Sequence, residues 1–186
     1  MNIDTEFLVY LDTLLSKLWA AGACDPAVAG GAIRDMLFDK PIKDIDVFYT
    51  GAISLEKLQK TWGFSNIVYN EVSYPNTNST LVYTLTWSSF PVPIQLIHCS
   101  MKISEIINTF PANIGRCYYD EKGLHGINGD VILSANDKIV WFEQPTSYKY
   151  YMKYKEKYSD WKLKFCEEDD KPPELKVTEL PGELEF

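Results

Sequence analysis

The sequence predicts an α+β protein in which a small mixed β-sheet is backed by helices. Apolar residues recur at helical and strand spacings in the order helix, strand, helix, strand, helix and then several strands. With 186 residues, of which 46% are hydrophobic, the chain is long enough for one domain with a sizeable core. We therefore expect one folded unit without internal repeats.

The first half of the chain alternates helices and strands. Between residues 4 and 21, apolar side chains recur at steps of three and four. This spacing predicts a helix that begins at Asp4 or Thr5 and ends at Gly22. The other elements predicted in this half are a short strand or turn at Pro26–Ala29, a helix at Ile33–Phe38, a strand at Ile42–Tyr49 and a helix at Leu55–Trp62 with Ser54 as its N-cap and Gly63 after it.

The second half is richer in strands. The predicted strands lie at Asn66–Val72, Thr80–Trp87, Pro93–His98 and Cys117–Tyr119, and the predicted helices lie at Ile103–Phe110 and Thr146–Trp161. A polar loop at Tyr74–Ser79 joins the first two strands. Tyrosines of the last helix recur at steps of three and four, so we expect much of that stripe to pack in the core.

Charge is distributed unevenly along the chain. Residues 167–186 contain eight acidic residues and two lysines, and they lose apolar periodicity. We therefore predict a folded domain over residues 1–166 and an acidic mobile tail over residues 167–186. Six lysines between residues 149 and 164 form either a solvated helix face or a contact for a polyanion. The net charge of −8 argues against strong non-specific binding of nucleic acid.

The sequence shows neither a membrane segment nor an export signal. No run approaches the ~18 apolar residues of a membrane helix, and the N-terminus lacks the basic start and apolar core of a signal peptide. We expect a cytoplasmic protein without a membrane partner. Its four widely spaced cysteines are then buried, reduced thiols rather than a zinc site. The sequence does not predict an oligomeric state.

Two aspartates separated by one residue are the most informative part of the sequence. Alternate residues of a strand point to the same face, so Asp44 and Asp46 would project side by side, with Ile45 and Val47 on the buried face. Two neighbouring carboxylates are costly unless a cation lies between them. Mg²⁺ takes carboxylate oxygens together with substrate phosphates, so the pair predicts a magnesium site.

A glycine pair precedes these aspartates. Gly30 and Gly31 would let the backbone pass close to a phosphate, and the helix predicted after them would point N–H groups at that anion. Together with Asp44 and Asp46, the pair predicts a site for a metal-bound nucleoside triphosphate. The alternative is that the two glycines only form a tight turn.

The joint pattern over residues 28–48 resembles the signature of the DNA polymerase β nucleotidyltransferase superfamily. It is most similar to the head domain of CCA-adding enzymes and bacterial poly(A) polymerases. The residues of the signature are Gly30, Gly31, Arg34, Asp35, Asp44 and Asp46. A looser similarity to small phage-encoded nucleotidyltransferase-like proteins extends to about Phe165 and suggests a viral origin, with the host cytoplasm as location. The resemblance implies a polymerase β-like palm fold, Mg²⁺ or Mn²⁺ as cofactor and a nucleoside triphosphate as substrate.

The resemblance also implies a role for each residue of the signature. Asp44 and Asp46 would be the catalytic, metal-binding carboxylates. The nucleotide-binding residues would be Gly30, Gly31, Arg34 and Asp35. Arg34 could pair with a phosphate or with a strand aspartate, because a guanidinium suits bidentate binding of oxygens. The alternatives are that Arg34 is a structural salt-bridge partner and that Asp35 only stabilises the start of a helix.

The position of the third carboxylate departs from the family pattern. Members of the family have an acid on a neighbouring strand, where this chain has Gln95. An amide oxygen can bind a metal but brings no net charge. His98 would lie on the opposite face of a regular strand from Gln95, and Asp120 is a distant substitute.

Two functions remain open at this point. The first is a Mg²⁺-dependent nucleotidyltransferase that moves a nucleotide from a nucleoside triphosphate to an acceptor hydroxyl. An RNA 3′ end, such as that of tRNA, is one acceptor that the resemblance suggests. The second is a catalytically impaired protein of the same fold that acts as a nucleotide- or partner-binding module. Gln95 favours the second function.

Overall fold

The computed structural model describes residues 3–70, 82–126, 129–143 and 146–165. The helices in these parts of the chain are α1 (Thr5–Ala20), α2 (Gly31–Leu37), α3 (Leu55–Trp62), α4 (Ile103–Ile107), α5 (Gly129–Asp137) and α6 (Tyr148–Lys157), with a short 3-10 helix at Asn113–Gly115. The strands are β1 (Ala23–Ala29), β2 (Ile45–Gly51), β3 (Phe64–Asn70), β4 (Val82–Trp87), β5 (Phe90–His98), β6 (Tyr118–Asp120), β7 (Gly123–His125), β8 (Ile139–Phe142) and β9 (Lys162–Phe165). None of the helices in these ranges has the length and apolar character needed to cross a membrane.

Seven of the strands form one mixed sheet in the order β3-β4-β5-β2-β1-β6-β7. Strands β2 and β5 pair in parallel, and the other neighbours in this sheet are antiparallel. Strands β8 and β9 form a separate parallel pair. The prediction of an α+β protein with a small mixed sheet is confirmed.

The main core lies between one face of the large sheet and helices α1, α2 and α3. Val47 on β2 and Leu96 on β5 are fully buried there, together with Leu14, Leu18 and Ile33 from the helices. The opposite face of the sheet is also partly covered, because Ile106 and Ile107 of α4 pack in a second cluster on that side.

Helix boundaries follow the capping residues of the sequence. The Asp4 side chain accepts a hydrogen bond from the Phe7 N–H at 3.0 Å, so Asp4 rather than Thr5 is the N-cap of α1. Ser54 caps α3 in the same way. Gly63 ends α3 in the left-handed conformation, with φ of 70°.

Other boundaries differ from the predictions. Strand β2 begins at Ile45 rather than Ile42, so Asp44 lies one residue before the strand. Helix α6 is shorter at both ends than the predicted helix, and α5, β7, β8 and β9 were not predicted. Cys99 and Cys117 are buried as expected, whereas Cys24 is exposed. The predicted loop at Tyr74–Ser79 and the predicted tail lie outside the described residues.

Candidate nucleotide-binding site

The pairing of β1 with β2 brings the two parts of the signature together. Ala29, the last residue of β1, lies opposite Asp46 on β2. Because the two strands are antiparallel and Gly30 follows Ala29, the glycine pair lies beside the start of β2. The residues before Asp46, including Asp44, approach the same end of the sheet.

The two aspartates occupy the accessible side of β2. Ile45 and Val47 are fully buried in the main core, as predicted from their spacing. Asp46 is half-buried on the opposite face, and Asp44 is half-buried just before the strand. Strand geometry therefore accounts for the position of Asp46, whereas Asp44 belongs to the connection that enters the strand.

Gln95 lies directly beside Asp46. In the parallel pairing of β2 with β5, the register partner of Asp46 is Gln95, and the partner of Gln95 on β4 is Thr84. The row of neighbouring residues across strands β1, β2, β5 and β4 is therefore Ala29, Asp46, Gln95 and Thr84. Within the described residues, no group of three His, Cys, Asp or Glu side chains is placed to hold a metal ion.

His98 and Asp120, the two other residues considered for the position of the third carboxylate, lie elsewhere. His98 is on the opposite face from Gln95, as expected, and its ring contacts that of Tyr49 with centroids 5.4 Å apart. Asp120 on β6 accepts hydrogen bonds at 2.8 Å from the His125 ring and from the Lys122 N–H. Tyr118, not Asp120, is the β6 residue that pairs with Ala29, so Asp120 does not replace the missing carboxylate.

The two carboxylates of the signature are the candidate ligands of a metal ion. Mg²⁺ is commonly bound through one or two carboxylates together with substrate phosphates and water. Asp44 and Asp46 would supply the carboxylates, and the amide of Gln95 is a neutral neighbour of Asp46. A second metal ion would need negative ligands beyond these two.

Gly30 has a backbone conformation that only glycine adopts readily. Its φ is 74° and its ψ is −122°. A Cβ at this position would lie 3.4 Å from Cε2 of Phe110. At Gly31 φ is not positive, and the nearest atom to an added Cβ, other than its chain neighbours and its own helix backbone, would be Nη2 of Arg34 at 3.7 Å. Gly30 is therefore needed for the turn, whereas the structure leaves space beside Gly31.

Arg34 and Asp35 are buried in the protein. They are 4% and 2% exposed, respectively. Nε and Nη2 of Arg34 both contact Oδ1 of Asp35, at 2.9 and 2.8 Å, and Nη1 donates to the Tyr154 hydroxyl at 2.8 Å. The Lys157 ammonium group contacts Oδ2 of Asp35. Arg34 thus forms a buried salt bridge with Asp35, which is one of the roles considered for it in the sequence analysis.

This buried network joins α6 to α2, directly behind the glycine pair. The Arg34 guanidinium lies 5.0 Å from the ring centroid of Tyr154 and 5.8 Å from that of Tyr158. Burial acts to lower the pKa of Arg34, but its interactions with Tyr154, Tyr158 and Asp35 raise that pKa well above the usual value. Burial lowers the pKa of Lys157, and the bond to Asp35 offsets part of this effect.

The structure brings together the two motifs that the sequence analysis singled out, and sequence reasoning missed three residues that contact them. These are Phe110, which lies against Gly30, and Tyr154 and Lys157, which bind the Arg-Asp pair. Tyr154 could be recognised as a core residue from its spacing, and it is 1% exposed. Nothing in the sequence indicated that the Tyr154 hydroxyl would accept a hydrogen bond from Arg34.

A family model identifies the chain. The model of the Gabija anti-defense 2 (Gad2) family matches residues 1–126, which include the whole signature and the strand that contains Gln95. The chain belongs to the Gad2 family. Tyr154 and Lys157 lie beyond the matched residues. No curated protein matches the chain.

Solved structures show the same fold at low sequence identity. The Thermotoga maritima CCA-adding enzyme complexed with tRNA(CCA) is 17% identical, with a TM-score of 0.52, and the match covers 75% of this chain and 33% of that one. A tRNA-processing enzyme in apo form I is 13% identical, with a TM-score of 0.59, over 88% of this chain and 45% of that one. A CCA-adding enzyme complexed with CTP is 16% identical, with a TM-score of 0.50, over 75% and 34%.

These similarities establish a nucleotidyltransferase-like fold for this Gad2-family chain. The chain spans between a third and just under half of the length of these enzymes. At such low identity the likeness concerns the fold alone.

Proposed function

We propose that this chain binds a Mg²⁺– or Mn²⁺–nucleoside triphosphate beside Gly30 and Gly31 and transfers its nucleotide to an acceptor hydroxyl. The observation that supports this most directly is the pairing of Ala29 with Asp46, which places the glycine pair at the same sheet end as the two carboxylates. In this proposal Asp44 and Asp46 hold the metal ion. The ion supplies charge stabilisation for the phosphates when it is bound.

The protein's own groups would position the reactants. The backbone at Gly30 and Gly31 lies against the phosphates, and the ring of Phe110 shields one side of the turn. The buried pair of Arg34 and Asp35 would act indirectly. It holds α2 against α6 and so maintains the turn at the glycine pair. In the reaction the acceptor oxygen bonds to the α-phosphorus, the bond between the α- and β-phosphates breaks, pyrophosphate leaves and the hydroxyl proton passes to solvent.

An RNA 3′ end such as that of tRNA is one acceptor consistent with the fold. Enzymes of this fold are seen with tRNA and with CTP. A small molecule or a protein side chain is an equally suitable acceptor for this chain, because it matches only part of those enzymes.

The family name adds a biological setting. We propose that the nucleotide chemistry of this chain serves to counteract a Gabija defence system. The measurement is phage plating on cells that contain such a system and express either the wild type or the Asp44→Asn/Asp46→Asn variant. Restored plating with the wild type alone would link the carboxylates to this role.

A second candidate function is a binding module without catalysis. Gln95 beside Asp46 favours it, because the row contains no second carboxylate among the described residues. Both candidates bind nucleotide, so binding alone cannot separate them, but pyrophosphate release can.

Nucleotide binding tests what the two candidates share. Titration of each nucleoside triphosphate with Mg²⁺ should show binding by the wild type and strong loss in Asp44→Asn/Asp46→Asn. Asp39→Asn is the matched control, because Asp39 is an exposed aspartate in the turn after α2. An equal loss in the control, or no binding by the wild type, would contradict the proposal.

A further inference from the structure

A cavity of about 480 Å³ lies at the far end of β2 from the glycine pair. Asp46 is near the start of the strand, whereas Phe48, Tyr49 and Thr50 line the cavity toward its end. The glycine pair and the signature aspartates do not line it. The cavity thus borders the proposed nucleotide site, since its lining includes Tyr118, the register partner of Ala29, but it shares none of the signature residues with that site.

The cavity exists because the sheet opens beside β1. In the part of the chain that the structure describes, β6 pairs with β1 only at Val28 and Ala29, so no described strand pairs with the first part of β1 on that side. The register with β2 also shifts between Cys24 and Ala27, and Asp25 within this bulge has a positive φ of 46°. The bulge, α1, the segment at 99–104 and the turn after β6 surround the space that remains.

Apolar and aromatic side chains form the floor and one wall. Leu15, Phe48 and Cys99 are buried beneath the cavity, with exposures of 5%, 1% and 3%. Tyr118 lines the wall, and its ring stacks on His125 with centroids 4.6 Å apart. Trp19 stands at the mouth and is 59% exposed, although it is one of the largest apolar side chains in the protein. A cavity of this volume, with a buried apolar part and convergent polar groups, is in the range of small-ligand sites.

Four of the six charged residues that line the cavity are carboxylates. The charged residues that line the cavity are Asp12, Asp25, Asp120, Glu121, Lys102 and Lys122. Asp12 accepts a hydrogen bond from the Tyr119 hydroxyl at 2.7 Å, and Asp120 is held by His125 and the Lys122 N–H. Asp25 is exposed at the bulge and, among the described residues, forms no ion pair.

We propose that this cavity binds an organic cation, a guanidinium or ammonium group attached to an apolar chain. The apolar floor would cover the chain. The four carboxylates outnumber the two lysines, and the ring of Trp19 at the mouth attracts a cation further. Such a group could come from a free small molecule or from an arginine or lysine side chain of a partner protein.

Calorimetric titration of the full chain tests this with two matched probes. N-acetyl-arginine amide has the guanidinium, and N-acetyl-citrulline amide replaces it with a neutral urea of almost the same shape. The arginine probe should bind saturably and the citrulline probe should not. Asp25→Asn should weaken the arginine probe about tenfold, as expected for loss of one charged hydrogen bond.

Asp39→Asn is the control variant, because Asp39 has a similar positive φ of 54° but does not line the cavity. Asparagine tolerates this conformation, so both variants should fold. Equal binding of the two probes, no saturable binding of the arginine probe, or equal loss in both variants would overturn the proposal.

Titration of agmatine and of a short arginine peptide then separates the two sources of the cation. Tighter binding of agmatine would support a small molecule, and tighter binding of the peptide would support a partner side chain.

Discussion

At the scale of single residues, the two signature glycines have different tasks. Gly30 has a positive φ and lies close to Phe110, so Gly30→Ala should lower the free energy of unfolding by about 1–3 kcal/mol. Gly31→Ala should be neutral or stabilising by up to about 1 kcal/mol, but its methyl group should weaken nucleotide binding. Urea denaturation and nucleotide titration measure the two effects. Equal destabilisation by both substitutions would contradict this assignment.

Substitutions of Gln95 test how its neutral amide affects the proposed metal site. Gln95→Asp would place a carboxylate beside Asp46, so it should lower stability without metal and gain more stability from Mg²⁺ than the wild type does. Gln95→Asn has the same shape as the aspartate variant without its charge, and it should show neither effect. Thermal unfolding across a Mg²⁺ titration measures the difference. Identical curves for the two variants would mean that position 95 does not face the metal site.

The sequence predicted the candidate site in part. Strand alternation placed Ile45 and Val47 in the core, because that relation depends only on a period of two. The position of Gln95 on the strand beside Asp46 was an expectation from the family resemblance, and the register of β2 with β5 pairs the two residues. The partners of Arg34 and Asp35 could not be predicted. They come from α6, more than a hundred residues later, and no local pattern encodes such a contact.

At the scale of elements, the docking of α6 on α2 depends on the Asp35 carboxylate. Lys157→Met removes one of its partners within a largely buried network, so it should lower the free energy of unfolding by about 1–3 kcal/mol. Lys153→Met removes an exposed lysine from the same helix and should change stability by less than about 0.5 kcal/mol. Chemical denaturation compares the two. Equal effects would show that Lys157 is only a solvated lysine.

Elements with local signals were predicted best. Helix α3 matches its predicted bounds because Ser54 and Gly63 mark its ends. Strands β8 and β9 have four residues each, and their parallel pairing joins segments separated by α6. Their hydrogen bonds form only after the chain has folded back, so short apolar runs could not reveal them.

At the scale of the whole molecule, the family-matched segment needs the residues that follow it. Ala112 and Ile114 pack in a cluster with Phe142, Tyr154 and Tyr158, which lie beyond residue 126. A chain that ends at residue 126 should therefore be much less stable than one that ends at 165, since each large buried side chain contributes about 2 kcal/mol. Circular dichroism during thermal unfolding measures this. Equal midpoints would show that residues 1–126 fold independently of α6.

Pyrophosphate release tests the central claim that the glycine pair and the two aspartates form a catalytic nucleotide site. The assay offers each nucleoside triphosphate with Mg²⁺ or Mn²⁺ and a pool of cellular RNA and protein as acceptors. We predict release by the wild type that disappears in Asp44→Asn/Asp46→Asn and persists in Asp39→Asn. Wild-type release no higher than that of the double variant, in a protein that still binds nucleotide, would contradict the claim and identify a binding module.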